Sequence, residues 1–109
     1  MKKAKIYLRD VFTGTLIEDE KGFLFTYDRD YLLADQAEAI SLTLPLSNVP
    51  YFSPVLFPFF DGLIPEGWLL NITEHIWKIN PRDRMSLLLR CCKDCIGAVS
   101  IIDINGEDE

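Results

Sequence analysis

The sequence predicts an α+β domain, with strands in its first half, helices in its second, and a closing strand. Three observations carry that prediction. Apolar and polar residues alternate with period two in several short runs between residues 4 and 44. Pro45, Pro50, Pro54 and Pro58 then interrupt any long regular element, because each fixes φ and removes a backbone donor. Beyond them, apolar residues recur at helical spacing. A chain of 109 residues is expected to be one domain, and 49% hydrophobic with 12% aromatic residues is enough to build a core.

The elements follow in order. Ala4, Ile6 and Leu8 alternate with Lys5, Tyr7 and Arg9, a half-buried first strand. Thr13-Gly14 reads as a turn, and Thr15 to Asp19 as the returning strand. Glu20-Lys21-Gly22 is a second turn. Phe23, Phe25 and Tyr27 alternate with Leu24 and Thr26 and give a third strand with an aromatic face. Asp28-Arg29-Asp30 turns the chain again, and Tyr31 to Ala34 forms a short helical turn. Ile40, Leu42 and Leu44 alternate with Ser41 and Thr43, a fourth strand stopped by Pro45. The segment from Pro45 to Pro58 reads as an ordered loop with Val55-Leu56-Phe57 packed inward.

Pro58 to Leu63 forms a short helix with proline at its start. A longer helix begins with Pro65 at its first position and Glu66 in its first turn, where a negative charge suits the dipole, and runs to about Lys78. Asn80-Pro81-Arg82-Asp83 signals another helix start, with Asn80 as cap and Asp83 at the third position. That helix carries Met85, Leu87, Leu88 and Leu89 and ends near Cys91. Ile96 to Ile104 is rich in β-branched residues and reads as the last strand. The domain is expected to span 1–104, with 105–109 an acidic tail.

The formal net charge of −6 argues against broad phosphate-backbone binding, which needs clustered lysine and arginine. It suits a soluble protein or one with a basic partner. No apolar run approaches the ~20 residues of a membrane span. Met1-Lys2-Lys3-Ala4-Lys5 leads into Ile6-Tyr7-Leu8-Arg9-Asp10 and not into an apolar signal region, so a cytoplasmic location is expected. Cys91, Cys92 and Cys95 are read as free thiols. Cys92 and Cys95 have C-x-x-C spacing, but a structural zinc site needs four ligands and a thioredoxin-type pair opens a helix after a strand. The sequence has no Gly-rich phosphate loop, G-x-S-x-G or paired-histidine metal motif, so no catalytic residue, cofactor or metal is expected and the chain is not read as an enzyme.

The helix starting at Pro65 has a wider apolar arc than one packing surface needs. Leu69, Ile72, Ile76 and Ile79 form one stripe, with Trp68 at its edge and Leu70 and Trp77 nearly opposite its centre. The extra arc is either covered by the 45–58 loop or a second helix, or left exposed for a partner. Large exposed aromatics mark interaction sites, and tryptophan is enriched in interface hot spots.

Phe59-Phe60-Asp61-Gly62-Leu63-Ile64-Pro65-Glu66-Gly67 and Asp94-Cys95-Ile96-Gly97-Ala98-Val99 together resemble the N-terminal subdomain of HipA-type serine/threonine kinase toxins. Tyr7-Leu8, Gly14, Leu16, Gly22, Phe25, Tyr27, Leu32, Ser41-Leu42, Leu44-Pro45-Leu46, Asp83 and Leu87-Leu88 fall in the expected order, so the resemblance covers most of the chain. It implies a small curved antiparallel sheet with helices packed on it. Tyr31, Cys92 and Trp68 depart from the residues common in that family.

The chain ends ten residues after Val99, so the part of a HipA protein that would carry ATP, Mg²⁺ and a catalytic aspartate is not expected here. As a free-standing unit it is similar to HipS-type antitoxins of three-component HipBST toxin–antitoxin systems. That resemblance implies a HipT-like serine/threonine kinase as partner, with a HipB-like DNA-binding protein as a further member of a larger complex. The wide apolar arc of the helix from Pro65 is then expected to meet that kinase, with Trp68 as the protruding side chain, Pro65, Glu66 and Gly67 setting its geometry and Leu70 and Trp77 beside it. The alternative is a non-inhibitory subunit that completes or stabilises a split HipA-type kinase.

Overall fold

The computed structural model of the chain describes residues 2–64, 83–91 and 99–104. β1 (Lys2–Leu8), β2 (Val11–Asp19) and β3 (Gly22–Tyr27) form an antiparallel meander. β4 (Tyr51–Ser53) adds to the β3 edge and β5 (Val99–Asp103) to the β1 edge, giving the order β4-β3-β2-β1-β5 with every pairing antiparallel. The described helices are α1 (Arg29–Leu33), α2 (Pro58–Asp61) and α3 (Arg84–Cys91). The α+β expectation is met. None of the described helices is long and apolar enough to cross a membrane.

The first hairpin differs from its expectation. Its turn is Arg9-Asp10, at φ +51° and +67°, the left-handed pair that matches strand twist in a two-residue loop. Thr13-Gly14 lies inside β2 as a bulge. Ile6 faces Gly14 while Tyr7 faces Phe12, so Thr13 is the extra residue. Thr13 is fully buried. Its hydroxyl donates to the Val11 carbonyl at 2.9 Å, and its own carbonyl accepts from Asp28 N–H at 2.7 Å. Gly14 is glycine because β3 passes against it: a Cβ there would lie 2.3 Å from the Thr26 carbonyl oxygen. The second turn forms at Glu20-Lys21, while Gly22, expected within it, is already the first residue of β3; Asp19 Oδ1 accepts from Lys21 N–H at 2.8 Å and Gly22 N–H at 3.1 Å.

Alternation sends Ala4, Ile6, Leu8, Leu16, Phe23, Phe25, Tyr27, Val99 and Ile101 to one face of the sheet, where all are buried. Phe25 packs on Phe60 of α2 with ring centroids 5.6 Å apart, and Phe60 also meets Phe57 and Phe59 edge-on. Met85, Leu87 and Leu88 bring α3 to the same core. Asp28 caps α1 rather than merely turning the chain: its Oδ2 accepts from Tyr31 N–H at 3.1 Å. Asp83 caps α3 in the same way. It precedes the first helical residue, Arg84, and accepts from Ser86 N–H at 3.2 Å and Ser86 Oγ–H at 2.8 Å. Asp83 therefore stands outside the helix, not at its third position; the expected cap Asn80 lies outside the described residues.

The predicted fourth strand over 40–44 does not form. Ile40 and Leu44 are buried, but Leu42 is 99% exposed, and the backbone makes a tight turn with one bridge from Ser41 to Leu44. A tertiary contact replaces the ladder. The buried Tyr27 hydroxyl donates to the Leu44 carbonyl and accepts from Ile40 N–H at 3.1 Å. The strand that pairs with β3 is instead Tyr51–Ser53, flanked by Pro50 and Pro54, which supply no ladder donor and limit it to three residues. In the loop that follows, Leu56 and Phe57 pack inward as expected, whereas Val55 is 65% exposed. The closing strand begins at Val99 among the described residues and ends at Asp103; the expected Ile96 to Ala98 portion lies outside them.

Two outcomes test this packing. Replacing Gly14 by Ala should destabilise the domain by about 1–3 kcal/mol in denaturant unfolding, since the contact is with backbone that cannot swing away. Tyr27→Phe should cost about 1–3 kcal/mol by leaving the Leu44 carbonyl and Ile40 amide without their partner. Burial raises the Tyr27 pKa above the ordinary 10.0, so the stability of the neutral hydroxyl is fully present below that pH and is lost as pH rises through the higher folded value. The parent should lose stability above about pH 10 more steeply than Tyr27→Phe, checked by unfolding curves across that range.

Candidate partner-binding site

The six residues expected to form the partner site, Pro65, Glu66, Gly67, Trp68, Leu70 and Trp77, lie outside the described residues. The structure does define the two elements that flank them. On the N-terminal side, α2 begins with Pro58 and ends in a tight backbone turn: Gly62 N–H donates to the Pro58 carbonyl at 2.9 Å, Leu63 N–H to Phe60 at 3.0 Å and Ile64 N–H to Asp61 at 3.2 Å. Phe60 is fully buried and Ile64 is 3% exposed, so the chain is anchored in the core up to the residue before Pro65.

On the C-terminal side, α3 starts after its Asp83 cap and buries Met85, Leu87, Leu88 and Leu89. Arg84 Nε donates to Asp61 Oδ1 at 2.7 Å, a direct tie between the two flanking elements. Both side chains are partly exposed, so this ion pair contributes geometry more than stability. Lys2 Nζ lies 3.8 Å from Asp83 Oδ2 and 3.8 Å from Glu18 Oε1, linking the start of β1 to the start of α3.

These contacts hold the two elements that bound residues 65–82 in the chain. It offers no acid–base constellation: among the described residues no three His, Cys, Asp or Glu side chains are placed to hold a metal, and no buried side-chain polar atom lacks a hydrogen-bond partner. His75, Cys92 and Cys95 lie outside the described residues.

Sequence reasoning missed a second surface. On the sheet face turned away from the core, Ile17, Leu24 and Phe52 stand opposite one another across β2, β3 and β4, and Phe52 is 58% exposed. Its signal was Leu24, an apolar residue at an outward position between Phe23 and Phe25.

This architecture is a five-stranded open antiparallel sheet with helices on one face. A sequence profile of the HipA N-terminal domain matches residues 4–102, and the chain belongs to this family. A solved structure, the N-terminal domain of HipA toxin, superposes with a TM-score of 0.77 at 33% identity, covering 98% of this chain and 96% of that one. An uncharacterized protein of Haemophilus influenzae is 37% identical over 101 residues, which is 93% of this chain and 92% of that protein. Two Sinorhizobium fredii proteins, Y4mE and Y4dM, both provisionally named kinases, are 28% and 26% identical over 82% and 95% of this chain; the chain matches 21% and 27% of their lengths. The similarity is to the N-terminal domain of HipA and not to a kinase catalytic domain.

Phe60→Ala should lower stability by about 3–5 kcal/mol in thermal or denaturant unfolding, because it removes the ring that joins α2 to the sheet.

Proposed function

We propose that this chain is an antitoxin that binds and neutralises a HipT-like serine/threonine kinase of the HipA family through protein–protein contact. The observation that supports this most is the extent of the similarity. It is confined to a HipA N-terminal domain, and the H. influenzae relative consists almost wholly of the same domain. In this reading the chain uses the surface by which a fused N-terminal domain meets its kinase, and occupies it in a kinase that lacks its own copy.

In this reading, Trp68 is the anchor. Pro65, Glu66 and Gly67 set its direction, and Leu70 and Trp77 widen the apolar contact. Core-bound Ile64 and the Asp61–Arg84 tie give the segment a firm base to push from. Phosphoryl transfer depends on close positioning of nucleotide, Mg²⁺ and catalytic groups, so a wedge that displaces one of them stops the reaction without covering the whole site. A HipB-like DNA-binding protein would be a further member of a larger complex.

A second reading, a non-inhibitory subunit completing a split kinase, is favoured by Y4mE and Y4dM, in which the matched region is about a quarter of a longer, kinase-named chain. Growth of cells expressing the HipT-like kinase of the same genome, with and without this chain, separates the two. The antitoxin reading expects rescue together with a co-purifying complex; a complex with unchanged or increased toxicity would replace it with the subunit reading. Trp68→Ala should weaken the complex by about 2 kcal/mol or more and restore toxicity, measured by calorimetry and growth. Full binding and rescue by a folded Trp68→Ala protein would remove Trp68 from the site.

A further inference from the structure

β4 pairs with β3 only at Phe23, Leu24 and Phe25. Pro50, just before β4, has no N–H with which to extend the ladder, and the chain ahead of it leaves the β3 edge. A cleft opens there between the end of β3, α1 and residues 45–49. It consists of two adjoining hollows, of about 340 Å³ and 360 Å³, that share Arg29, Leu32 and Asn48. Leu33, Leu46 and Ser47 complete the first, Thr26 and Tyr27 the second. Hydrogen bonds hold the 45–49 wall in place. The Tyr51 hydroxyl donates to the Pro45 carbonyl at 2.7 Å, and Val49 N–H donates to Ser47 Oγ at 3.0 Å. The buried Tyr27 hydroxyl fixes the Leu44 carbonyl just ahead of this wall.

The lining combines leucines with one guanidinium. Leu33 and Leu46 are exposed, and with Leu32 they form the apolar side of the cleft. From Ala39 to Phe60 the sequence has no charged residue, and Arg29 is the one charged side chain among the described residues that line the cleft. Arg9 and Arg84 each hold a carboxylate, Glu38 at 2.8 Å and Asp61 at 2.7 Å. Arg29 differs: it is exposed, and among the described residues no acceptor or carboxylate engages its side chain. Its five N–H donors lie in a fixed planar fork that matches a carboxylate through two parallel bonds. Asp28 and Asp30 flank Arg29 in sequence, but Asp28 accepts from Tyr31 N–H at the start of α1 and neither acid lines the cleft. The two acids limit what can approach: they oppose a phosphate dianion or a nucleic-acid backbone more than a single carboxylate. The leucines beside the fork select an apolar group next to that carboxylate.

We propose that the cleft between α1 and residues 45–49 is a second docking site, which takes a segment of the kinase partner with one aspartate or glutamate on Arg29 and an adjoining apolar side chain against Leu32, Leu33 and Leu46. The inference rests on the antitoxin reading for the identity of the partner, but none of its residues belongs to the Trp68 group. Shape and polarity of the cleft are set by this chain before the partner arrives, which lowers the ordering cost of binding. A two-fold pairing of cleft on cleft would set Arg29 against a lining without a carboxylate, so a second copy of this chain fits it less well.

The test is calorimetric titration of the HipT-like kinase of the same genome with this chain and three variants, each checked for folding by circular dichroism. Arg29→Gln and Leu33→Asp each should weaken binding by about tenfold. Arg29→Gln should also flatten the salt dependence of affinity. Lys21→Gln makes the same change in net charge at an exposed turn outside the cleft, and should bind as the parent does. Parent-like affinity of both cleft variants would overturn the second site and leave the antitoxin reading standing. An equal loss in Lys21→Gln and Arg29→Gln would also overturn it, since overall charge and not the cleft would then set affinity. No binding by the parent chain would remove both readings. A dimer of the parent chain alone in sedimentation, dissociated by Leu33→Asp with kinase affinity unchanged, would overturn kinase docking and assign the cleft to a second copy.

Discussion

Phe25, at the centre of β3, packs its ring 5.6 Å from that of Phe60 in α2, and the two halves of the domain are joined through this contact. Both rings are fully buried, and each has further aromatic neighbours: Tyr27 edge-on to Phe25, and Phe57 and Phe59 edge-on to Phe60. Offset and edge-to-face pairs of this kind add to the burial of the rings themselves. They fix where α2 lies on the sheet. The position of α2 in turn fixes Ile64, the Asp61–Arg84 tie and the point from which the chain continues into Pro65.

A second constraint acts through hydroxyl groups. The Tyr27 and Tyr31 rings stack 6.4 Å apart, and their hydroxyls hold the irregular segment between α1 and β4. Tyr27 takes the Leu44 carbonyl and the Ile40 amide, and Tyr31 takes the carbonyl and amide of Glu38. Four backbone groups that would otherwise need a strand partner are satisfied by two side chains. This permits a long connection that is neither helix nor strand to stay packed against the core.

Helices cover one face of the sheet, while the other keeps an apolar strip and two lysines. The chain belongs to the HipA N-terminal domain family, and the match is to that domain and not to a kinase catalytic domain.

Local pattern was enough for β1, the turn after Asp19, β3 and the presence, though not the bounds, of α1, α2 and α3, because each is dictated by periodicity or proline placement within a few residues. Family membership was legible too, since it rests on residues spread in order along the chain. Trp68 and its neighbours are legible only as a pattern in the sequence, and the described residues define only the supports on either side of them. What sequence could not show depends on contacts between distant residues. Thr13-Gly14 looks like a turn and is a bulge, because the need for glycine comes from the Thr26 carbonyl of the next strand. Residues 40–44 alternate like a strand, yet the partner for Ile40 and Leu44 is the hydroxyl of Tyr27 and not another ladder. The outer face emerged only when register aligned Ile17, Leu24 and Phe52, which are far apart in sequence. The sequence by itself thus determined which short segments were helical or extended and which family they compose; tertiary structure decided pairing, register and exposed surface, because those are settled by close approach between strands that no local window contains.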